Sequence, residues 1–216
     1  MKAFDIFQKN IGRAENLFAL HRAVFQRGRP PKEWADILRA ALIFAAAALD
    51  AYMHDKLVEI VPRVIKDTRN RLPGNLIDIL KSNGITYESL IEMLFSGNHE
   101  RRFREAIKKH YAERTIQDIG DIDKVVKNLG ISDFWFSLAK AINKRKGRIR
   151  KINKEGVKDF IQSYIYRRHK IVHEADLWSG RMRLRPITVE FTKRGIERIK
   201  IFVEKFDAVV NQAYPA

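Results

Sequence analysis

The sequence predicts an all-α protein, folded as an antiparallel helical bundle. Apolar residues return at steps of three and four positions, as Phe4, Phe7, Ile11 and Ala14 do near the start of the chain, and this spacing is typical of amphipathic helices. Turns that contain glycine or proline separate one such segment from the next. The chain of 216 residues has no internal repeat and no low-complexity stretch, and this length is enough to bury one sizeable core. We therefore interpret residues 1–216 as a single helical domain.

The first two predicted helices form a hairpin at the front of the chain. The first covers about residues 4–25 and ends at Gly28 and the two prolines that follow, because glycine favours a helix end and proline cannot continue the hydrogen-bond ladder. The second covers about residues 32–60 and is expected to end before Pro62. Two long helices joined by a short turn lie side by side, so this pair is predicted to be antiparallel.

Shorter helices are predicted through the rest of the chain. Turn sequences break the pattern between residues 62 and 130, and we interpret 62–130 as a helical insertion between two halves of one bundle. The predicted helices of the insertion lie near residues 75–82, 86–95, 99–114 and 121–128. Those that follow it cover about residues 132–143, 155–175 and 192–212. Residues 179–186 alternate arginine with apolar residues and are predicted to form a short strand or an extended loop.

The chain is strongly basic, and its charge limits the classes of partner. It contains 42 Lys+Arg against 26 Asp+Glu, with a formal net charge of +16 and a pI near 10.1. Such a field attracts polyanions, with RNA or DNA ahead of an anionic membrane surface. The most apolar stretch, residues 40–49, is about half as long as a bilayer span requires, so we expect a buried helix and no membrane partner. With no cysteine and no signal-peptide pattern, the protein is expected to be cytoplasmic and without disulfides.

The densest basic run lies just before the predicted helix over 155–175. Its charged residues are Lys144, Arg145, Lys146, Arg148, Arg150 and Lys151. Charge runs are usually solvated loops, but in so basic a chain phosphate contact is at least as well supported, and we predict RNA binding here. Lys170 is predicted to contribute to RNA binding. Arg167 is also predicted to contribute to RNA binding. For this residue, contact with phosphate and simple exposure to solvent are both open.

Arg168 and His173 form an R-x4-H motif on the predicted helix over 155–175. An imidazole titrates near neutral pH and can move the proton of a ribose 2′-OH. A guanidinium stays charged and can hold phosphoryl oxygens as negative charge builds on them. The motif therefore supplies the groups needed for RNA cleavage without a metal.

The spacing of the motif sets a geometric condition. On a straight helix Arg168 and His173 point about 140° apart, so either the long arginine side chain wraps partway around or a second subunit completes the site. His169 lies one turn before His173, and we predict that it hydrogen-bonds to His173 or to phosphate. Histidines four positions apart can also clamp zinc, but no third ligand has a suggestive spacing and no metal is expected. Glu174 is expected to pair with Lys170 across one turn.

The motif resembles the signature of the HEPN superfamily, helical domains that share an R-x4-6-H motif on a late helix. Two more segments are similar to proteins of the RiboL-PSP-HEPN type: the front helix ending in Leu49-Asp50-Ala51-Tyr52, and residues 119–135 before the motif. The resemblance implies a HEPN-type bundle acting as a metal-independent endoribonuclease without a cofactor. It implies a homodimer whose paired motifs line a shared cleft, and products with a 2′,3′-cyclic phosphate and a 5′-hydroxyl. A prokaryotic defence or toxin-like role, with an antitoxin or defence-system partner, is implied by family analogy alone.

Some alternatives remain open at this point. The resemblance implies that Asp50 orients Arg168 or His173; the alternative is that it faces solvent beside Asp55, because a lone buried carboxylate is unfavourable. Trp178 is expected to pack over the end of the motif helix, with stacking on a base as the alternative. The rival functions are a non-catalytic RNA-binding or protein-interaction HEPN domain and a DNA-binding helical protein. The latter is less favoured, because no recognition helix follows a short turn.

Overall fold

The fold is a bundle of helices. The computed structural model describes residues 2–24, 32–66, 77–78, 81, 86, 88, 91, 99–111, 115–116, 118–144, 151–178 and 182–215. Within these ranges the main elements are seven α-helices, and no strand is present there, so the predicted all-α fold is confirmed. The helices are α1 (Ala3–Val24), α2 (Ala35–Lys66), α3 (His99–Tyr111), α4 (Ile119–Leu129), α5 (Phe134–Asn143), α6 (Lys154–Glu174) and α7 (Val189–Ala213). A 3₁₀ turn, Lys32–Trp34, leads into α2.

Helices α1 and α2 form the predicted hairpin. At the start of α1 the backbone N–H of Ala3 donates to Oε2 of Glu59 near the end of α2, at 2.8 Å. Further along α1, Phe7 meets Tyr52 of α2 edge to face, with ring centroids 5.7 Å apart. Contacts that advance along α1 therefore move back along α2, and the antiparallel arrangement is confirmed.

The predicted end of α2 before Pro62 is wrong, because the helix continues through this proline to Lys66. Proline removes the hydrogen bond to the carbonyl four residues earlier and crowds that carbonyl. In α2 this local penalty is offset by burial, since Ile60, Val61 and Val64 all lie in the core. Tertiary packing of an apolar face stabilises a helix more than local propensity does, and here it determines where the helix ends.

Helix α2 is the central apolar helix of the bundle. By length and composition alone, residues 35–64 could cross a membrane. The protein buries 56% of the most apolar part of this helix, and a helix that is apolar all round is equally typical of a protein core. The stretch 40–49, expected to be a buried helix, contributes five residues to the core: Ala41, Leu42, Ala45, Ala48 and Leu49.

An aromatic cluster joins α2, α5 and α7 at the centre of the bundle. The ring centroid of Phe206 on α7 lies 4.8 Å from that of Phe134 on α5 and 5.9 Å from that of Tyr52 on α2. All three side chains are almost completely buried. Buried aromatic rings contribute large apolar areas, so this cluster fixes how the front hairpin packs on the C-terminal helix.

Helices α3 and α4 lie in the range 62–130 that was predicted to be an insertion. Both pack on α2, and their buried residues, such as Ile107 and Val125, belong to the same continuous core as α1 and α7. The helices predicted near 75–82 and 86–95 lie almost wholly outside the described residues. The interpretation of 62–130 as an insertion therefore stays a prediction.

Side-chain caps fix the starts of the last two helices. Asn153 Oδ1 accepts the N–H of Gly156 at 2.9 Å at the start of α6, and Thr188 Oγ1 accepts that of Phe191 at 3.1 Å at the start of α7. Such caps satisfy N–H groups that have no partner within the helix. Because of Thr188, α7 begins three residues earlier than predicted.

The described part of the segment between α6 and α7 contains no helix, in agreement with the prediction of a short strand or an extended loop for 179–186. Residues 183–188 contain no helix. Leu177 and Leu184 form an antiparallel β-bridge, so the chain folds back on itself directly after α6. Residues 179–181 lie outside the described part of the chain.

Candidate active site

The R-x4-H motif lies in the C-terminal half of α6. Because α6 is continuous from Lys154 to Glu174, Arg168 and His173 are separated by about 140° around the helix axis and about 7.5 Å along it. Arg168 is half-buried, whereas His173 is exposed in the last turn. The two motif side chains therefore start from different sides of α6, as their spacing predicts.

Arg168 has no polar partner in the described part of the chain. Its guanidinium makes no hydrogen bond or ion pair with any residue in the described ranges. A guanidinium has five N–H donors in a planar fork that matches the oxygens of a phosphate. Those donors are left for an acceptor from outside the described part of the chain.

His169 and His173 form a pair of rings on one side of α6. Their centroids lie 4.6 Å apart, with the planes tilted by 40°. The structure thus brings together these two residues of the predicted site. In the parts of the chain that are described, no group of three or more His, Cys, Asp or Glu side chains is placed to hold a metal ion.

Arg167, the neighbour of the motif arginine, is engaged within the protein. Its Nη2 donates to Oδ2 of Asp176 at 2.8 Å and to the carbonyl oxygens of Arg185 and Pro186 at 3.2 and 3.0 Å. This differs from both predicted alternatives for Arg167. In the folded chain the guanidinium is held by a buried carboxylate rather than left to phosphate or solvent.

Asp176 accepts from a second arginine as well. The side chain of Asp176 is completely buried, and its Oδ2 lies 2.7 Å from Nε of Arg39 on α2. Arg39 also donates to the carbonyl of Arg185 at 2.7 Å and to Oδ1 of Asp36 at 3.0 Å. The guanidinium groups of Arg39 and Arg167 therefore converge on the carboxylate of Asp176. The remaining N–H groups of Arg39 donate to the Arg185 carbonyl and to the exposed Asp36. We call Arg39, Arg167 and Asp176 the Asp176 clamp.

The Asp176 clamp fixes the backbone immediately after the motif. Ala175 and Asp176 have φ values of 48° and 58°, in the left-handed region that ends a helix and is unfavourable for most residues with a Cβ. The N–H of Asp176 donates to the carbonyl of Lys170 at 3.0 Å, and its carbonyl accepts the N–H of Arg185 at 2.8 Å. Backbone hydrogen bonds therefore hold the last turn of α6, which carries His173, to Asp176, and hold Asp176 to Arg185.

A second charged group surrounds Glu174. Lys170 pairs with Glu174 across one turn, as the spacing predicts, and Arg185 reaches Glu174 Oε2 at 3.3 and 3.4 Å. The hydrogen bond from Lys170 and its positive charge, with a smaller contribution from Arg185, hold the pKa of Glu174 below its ordinary value. The hydrogen bond to Glu174 in turn raises the pKa of Lys170. Lys170 also lies 5.1 Å from the ring centroid of Tyr166. Lys170, which is predicted to contact RNA, thus already has partners within the chain.

Trp178, which was expected to pack over the end of the motif helix, is only partly covered. Its side chain is 47% exposed. The guanidinium carbon of Arg185 lies 5.3 Å from the centroid of its ring, which is within the range of a cation–π contact. The indole is therefore partly covered, with the Arg185 cation against its ring.

Almost the whole length of the chain matches one known family. The RiboL-PSP-HEPN family model covers residues 9–212, from α1 to the end of α7. The chain belongs to the RiboL-PSP-HEPN family. The resemblance inferred from the sequence is confirmed at the level of the family. No curated protein and no solved structure matches the chain.

In this RiboL-PSP-HEPN chain, Asp50 lies away from the motif contacts. Its Oδ1 accepts the N–H of Ile116 at 2.7 Å and lies 3.7 Å from Nε2 of His54. Helix α2 meets the end of α6 at Arg39, which is eleven residues and about 16 Å along the helix axis from Asp50. Within one chain, Asp50 anchors the segment before α4, and the carboxylate that supports the motif helix is Asp176.

Arg39, Asp176 and Arg185 were missed in the sequence analysis. For Arg39 a signal was present, because it interrupts the apolar run of α2, and a charge on a buried face requires a partner. The identity of that partner was not readable, since Asp176 lies 137 positions away. Arg185 stands in an arginine-rich segment where nothing distinguishes it from its neighbours.

The basic run predicted to bind RNA is only partly described. Lys144 and Lys151 are exposed at its two ends, whereas four further members lie outside the described residues: Arg145, Lys146, Arg148 and Arg150. The side chain of Asn143 donates to the carbonyl of Ile152 at 2.8 Å and accepts its N–H at 3.0 Å. This two-way contact brings the ends of the run side by side in the RiboL-PSP-HEPN chain.

Proposed function

We propose that this protein is a metal-independent endoribonuclease that acts as a homodimer, with Arg168 and His173 as its catalytic residues. Domains of the HEPN family are often ribonucleases. The net charge of +16 favours a nucleic acid as the partner. The biological setting that the family suggests is prokaryotic defence or a toxin-like role, with an antitoxin or similar partner that restrains cleavage.

The observation that carries this proposal is the different use of two adjacent arginines. Arg167 is held by the buried Asp176, whereas Arg168 has no partner within the described ranges. Because no carboxylate in the described ranges occupies the guanidinium of Arg168, this group is suited to bind an incoming phosphate. The Asp176 clamp supports this arrangement, because a catalytic group is best held on a rigid element.

His173 supplies the proton transfers in the proposed reaction. As general base it removes the proton of a ribose 2′-OH, and the oxygen then bonds to the adjacent phosphorus. Arg168 stabilises the extra negative charge on the phosphoryl oxygens. The bond from phosphorus to the 5′-oxygen breaks, and a protonated His173 gives this oxygen a proton. The products are a 2′,3′-cyclic phosphate and a 5′-hydroxyl, and no water is consumed. His169, next to His173, is proposed to hydrogen-bond to it or to phosphate.

The geometry of α6 favours a site that two copies build together. One chain presents Arg168 and His173 about 140° apart, which is a poor arrangement for holding one phosphate. A twofold axis that runs beside α6 and roughly parallel to it would place Arg168 of one copy on the same side as His173 of the other, and the reverse contact would form at the same time. Val172, which is exposed, lies on the arc between them, about 40° from Arg168, and adds an apolar contact to such an interface.

Incubation of the purified protein with total RNA, with and without EDTA, tests the proposal. We expect cleavage that persists in EDTA and fragments that end in a 2′,3′-cyclic phosphate and a 5′-hydroxyl. The His173→Ala protein, purified in the same way, controls for contaminating ribonucleases. Cleavage that EDTA abolishes would instead indicate a metal-dependent site.

A non-catalytic RNA-binding or protein-interaction domain is the second candidate. It is favoured by the exposed apolar side chains around the hairpin that follows α6, namely Leu177, Met182 and Leu184, because exposed apolar groups that cluster often mark a docking surface. Tight RNA binding without any cleavage in the same assay would favour this function over the nuclease.

A further inference from the structure

Trp178 presents an exposed aromatic ring five residues after His173. Its indole N–H makes no hydrogen bond within the described ranges, and Trp178 does not belong to the hydrophobic core. Five residues span at most about 18 Å even when fully extended. The ring therefore lies within a few nucleotides of any RNA strand that reaches His173.

Arg185 supports this ring from one side. Two nitrogens of its guanidinium approach Oε2 of Glu174 at 3.3 and 3.4 Å, and its carbon lies 5.3 Å from the ring centroid of Trp178. The cation is thus fixed between a carboxylate and an aromatic face. The side chain of Trp178 remains 47% exposed, so part of the ring is accessible to a flat partner.

The backbone that carries Trp178 is also fixed. Its N–H donates to the carbonyl of Arg183 at 3.0 Å, next to the bridge between Leu177 and Leu184. The Asp176 clamp holds the start of this hairpin. A ring that is already oriented loses little conformational freedom on binding, which favours its use as a binding surface.

We propose that Trp178 stacks on one unpaired nucleobase of the RNA bound at the motif; this inference rests on the proposed function and extends it. Every base has a flat π-face, and stacking on aromatic side chains tolerates any sequence. Arg185 lies against the ring, in a chain with a net charge of +16. A polyanion with flat rings matches both the charge and the shape of this surface better than an apolar peptide does.

The stacking site gives the protein a preference for single strands. A base can lie on Trp178 only when it is not paired and stacked within a duplex. The site therefore selects single-stranded RNA with little regard to sequence. It contributes to binding and to KM, whereas the chemical step depends on the motif.

RNA binding by a cleavage-disabled protein measures the contribution of the ring. In a His173→Ala background, Trp178→Ala should weaken binding of a single-stranded RNA oligonucleotide roughly 5- to 150-fold, as expected for the loss of one stacked base. Trp178→Phe keeps a ring and should retain most of the affinity. Phe136→Ala is the matched control, since it removes a 64% exposed aromatic side chain from α5 and should leave affinity unchanged. Binding of a duplex should change little in all three variants.

Indole fluorescence reports the contact directly. Titration with the same oligonucleotide should quench emission in the protein that contains Trp178 and much less in Trp178→Phe. Trp34 and Trp135 are present in both proteins, so the difference between the two titrations isolates Trp178.

Two outcomes would overturn the stacking site. One is equal affinity of the Trp178→Ala protein and its parent for single-stranded RNA, which would leave the nuclease proposal untouched. The other is an equal loss of affinity for single strands and duplex, because this would indicate a general effect on the surface rather than a contact with a base. If the wild-type protein cleaves no RNA but its affinity for single strands still depends on Trp178, the nuclease proposal fails and the stacking site stands.

Discussion

Arg39 on α2 and Asp176 after α6 form a buried ion pair, with Nε 2.7 Å from Oδ2 across 137 positions of sequence. Arg167 of α6 donates to the same oxygen at 2.8 Å. The front hairpin is thereby tied to the end of the helix that carries the motif. Because Asp176 is completely buried and two cations depend on it, its negative charge is required by both helices.

The first prediction concerns Asp176. Asp176→Asn should lower the free energy of unfolding by about 3–5 kcal/mol, because it leaves two guanidinium groups without their buried carboxylate. Asparagine tolerates the left-handed conformation that Asp176 adopts, with φ 58°, so the change is mainly one of charge. Urea unfolding followed by circular dichroism measures it.

Asp36→Asn is the matched control for this measurement. Asp36 pairs with the same Arg39, but its side chain is 70% exposed, and exposed ion pairs contribute at most about 1 kcal/mol. Equal destabilisation by the two variants would contradict the special role of Asp176.

Helical periodicity and caps predicted most of the fold. The long helices α1, α6 and α7 were predicted within a few residues, because each has an amphipathic pattern and clear signals at its ends. The end of α2 was not predicted correctly. The local tendency of Pro62 to end a helix competes with burial of Ile60 and Val64, and only the tertiary structure decides between the two effects.

The site was less predictable than the fold. The R-x4-H motif is local and readable as a spacing. Resemblance pointed to Asp50 as the supporting carboxylate, but a family pattern does not specify which acidic residue lies beside α6 in this chain. Asp176 follows the motif directly, yet its partner Arg39 is determined by how α2 packs against α6. Long-range ion pairs of this kind follow from the fold and not from the spacing of residues.

The second prediction concerns His173. His173→Ala should reduce the single-turnover rate of RNA cleavage by about 10²–10⁴-fold, which is the usual effect of losing a general acid or base. RNA affinity should stay close to normal, because the basic surface dominates binding. His169→Ala is the comparison and should have the smaller effect. A wild-type rate in His173→Ala would rule out its assigned role.

The third prediction separates the two adjacent arginines. Arg168→Lys keeps the charge but loses the planar fork, and it should lower the cleavage rate by about 10²–10³-fold, as for the loss of other groups that stabilise an oxyanion. Its thermal stability should remain that of the wild type. Arg167→Lys should instead lower stability more than it lowers the cleavage rate. Its contacts with Asp176, Arg185 and Pro186 depend on the planar guanidinium. If Arg168→Lys proves the less stable protein and Arg167→Lys the slower enzyme, the roles of the two arginines have been exchanged.

The fourth prediction concerns the basic run. If it binds phosphates, changing Lys144, Arg145 and Lys146 to alanine should weaken binding of every RNA sequence alike. The slope of log affinity against log salt should fall by about 2, since each lost contact with a single strand removes about 0.7. Removing the same charge from the exposed Arg101, Arg102 and Arg104 of α3 is the control. Equal slopes for the two triple variants would mean that only the general positive field matters.

The last prediction is that the active form is a dimer that RNA stabilises. Two arginine-rich motif helices repel each other across a twofold axis, and this repulsion is strongest at low ionic strength, where screening is weak. Sedimentation of the His173→Ala protein should therefore show a dimer that is looser at low salt and tighter when uncleaved RNA is bound.

Mixing His173→Ala with Arg168→Ala tests the shared site itself. If each site uses Arg168 of one copy and His173 of the other, half of the dimers are mixed and each has one complete site, so about a quarter of wild-type activity should return. A mixture that stays inactive, or a strict monomer that cleaves RNA, would show that each chain builds its site alone.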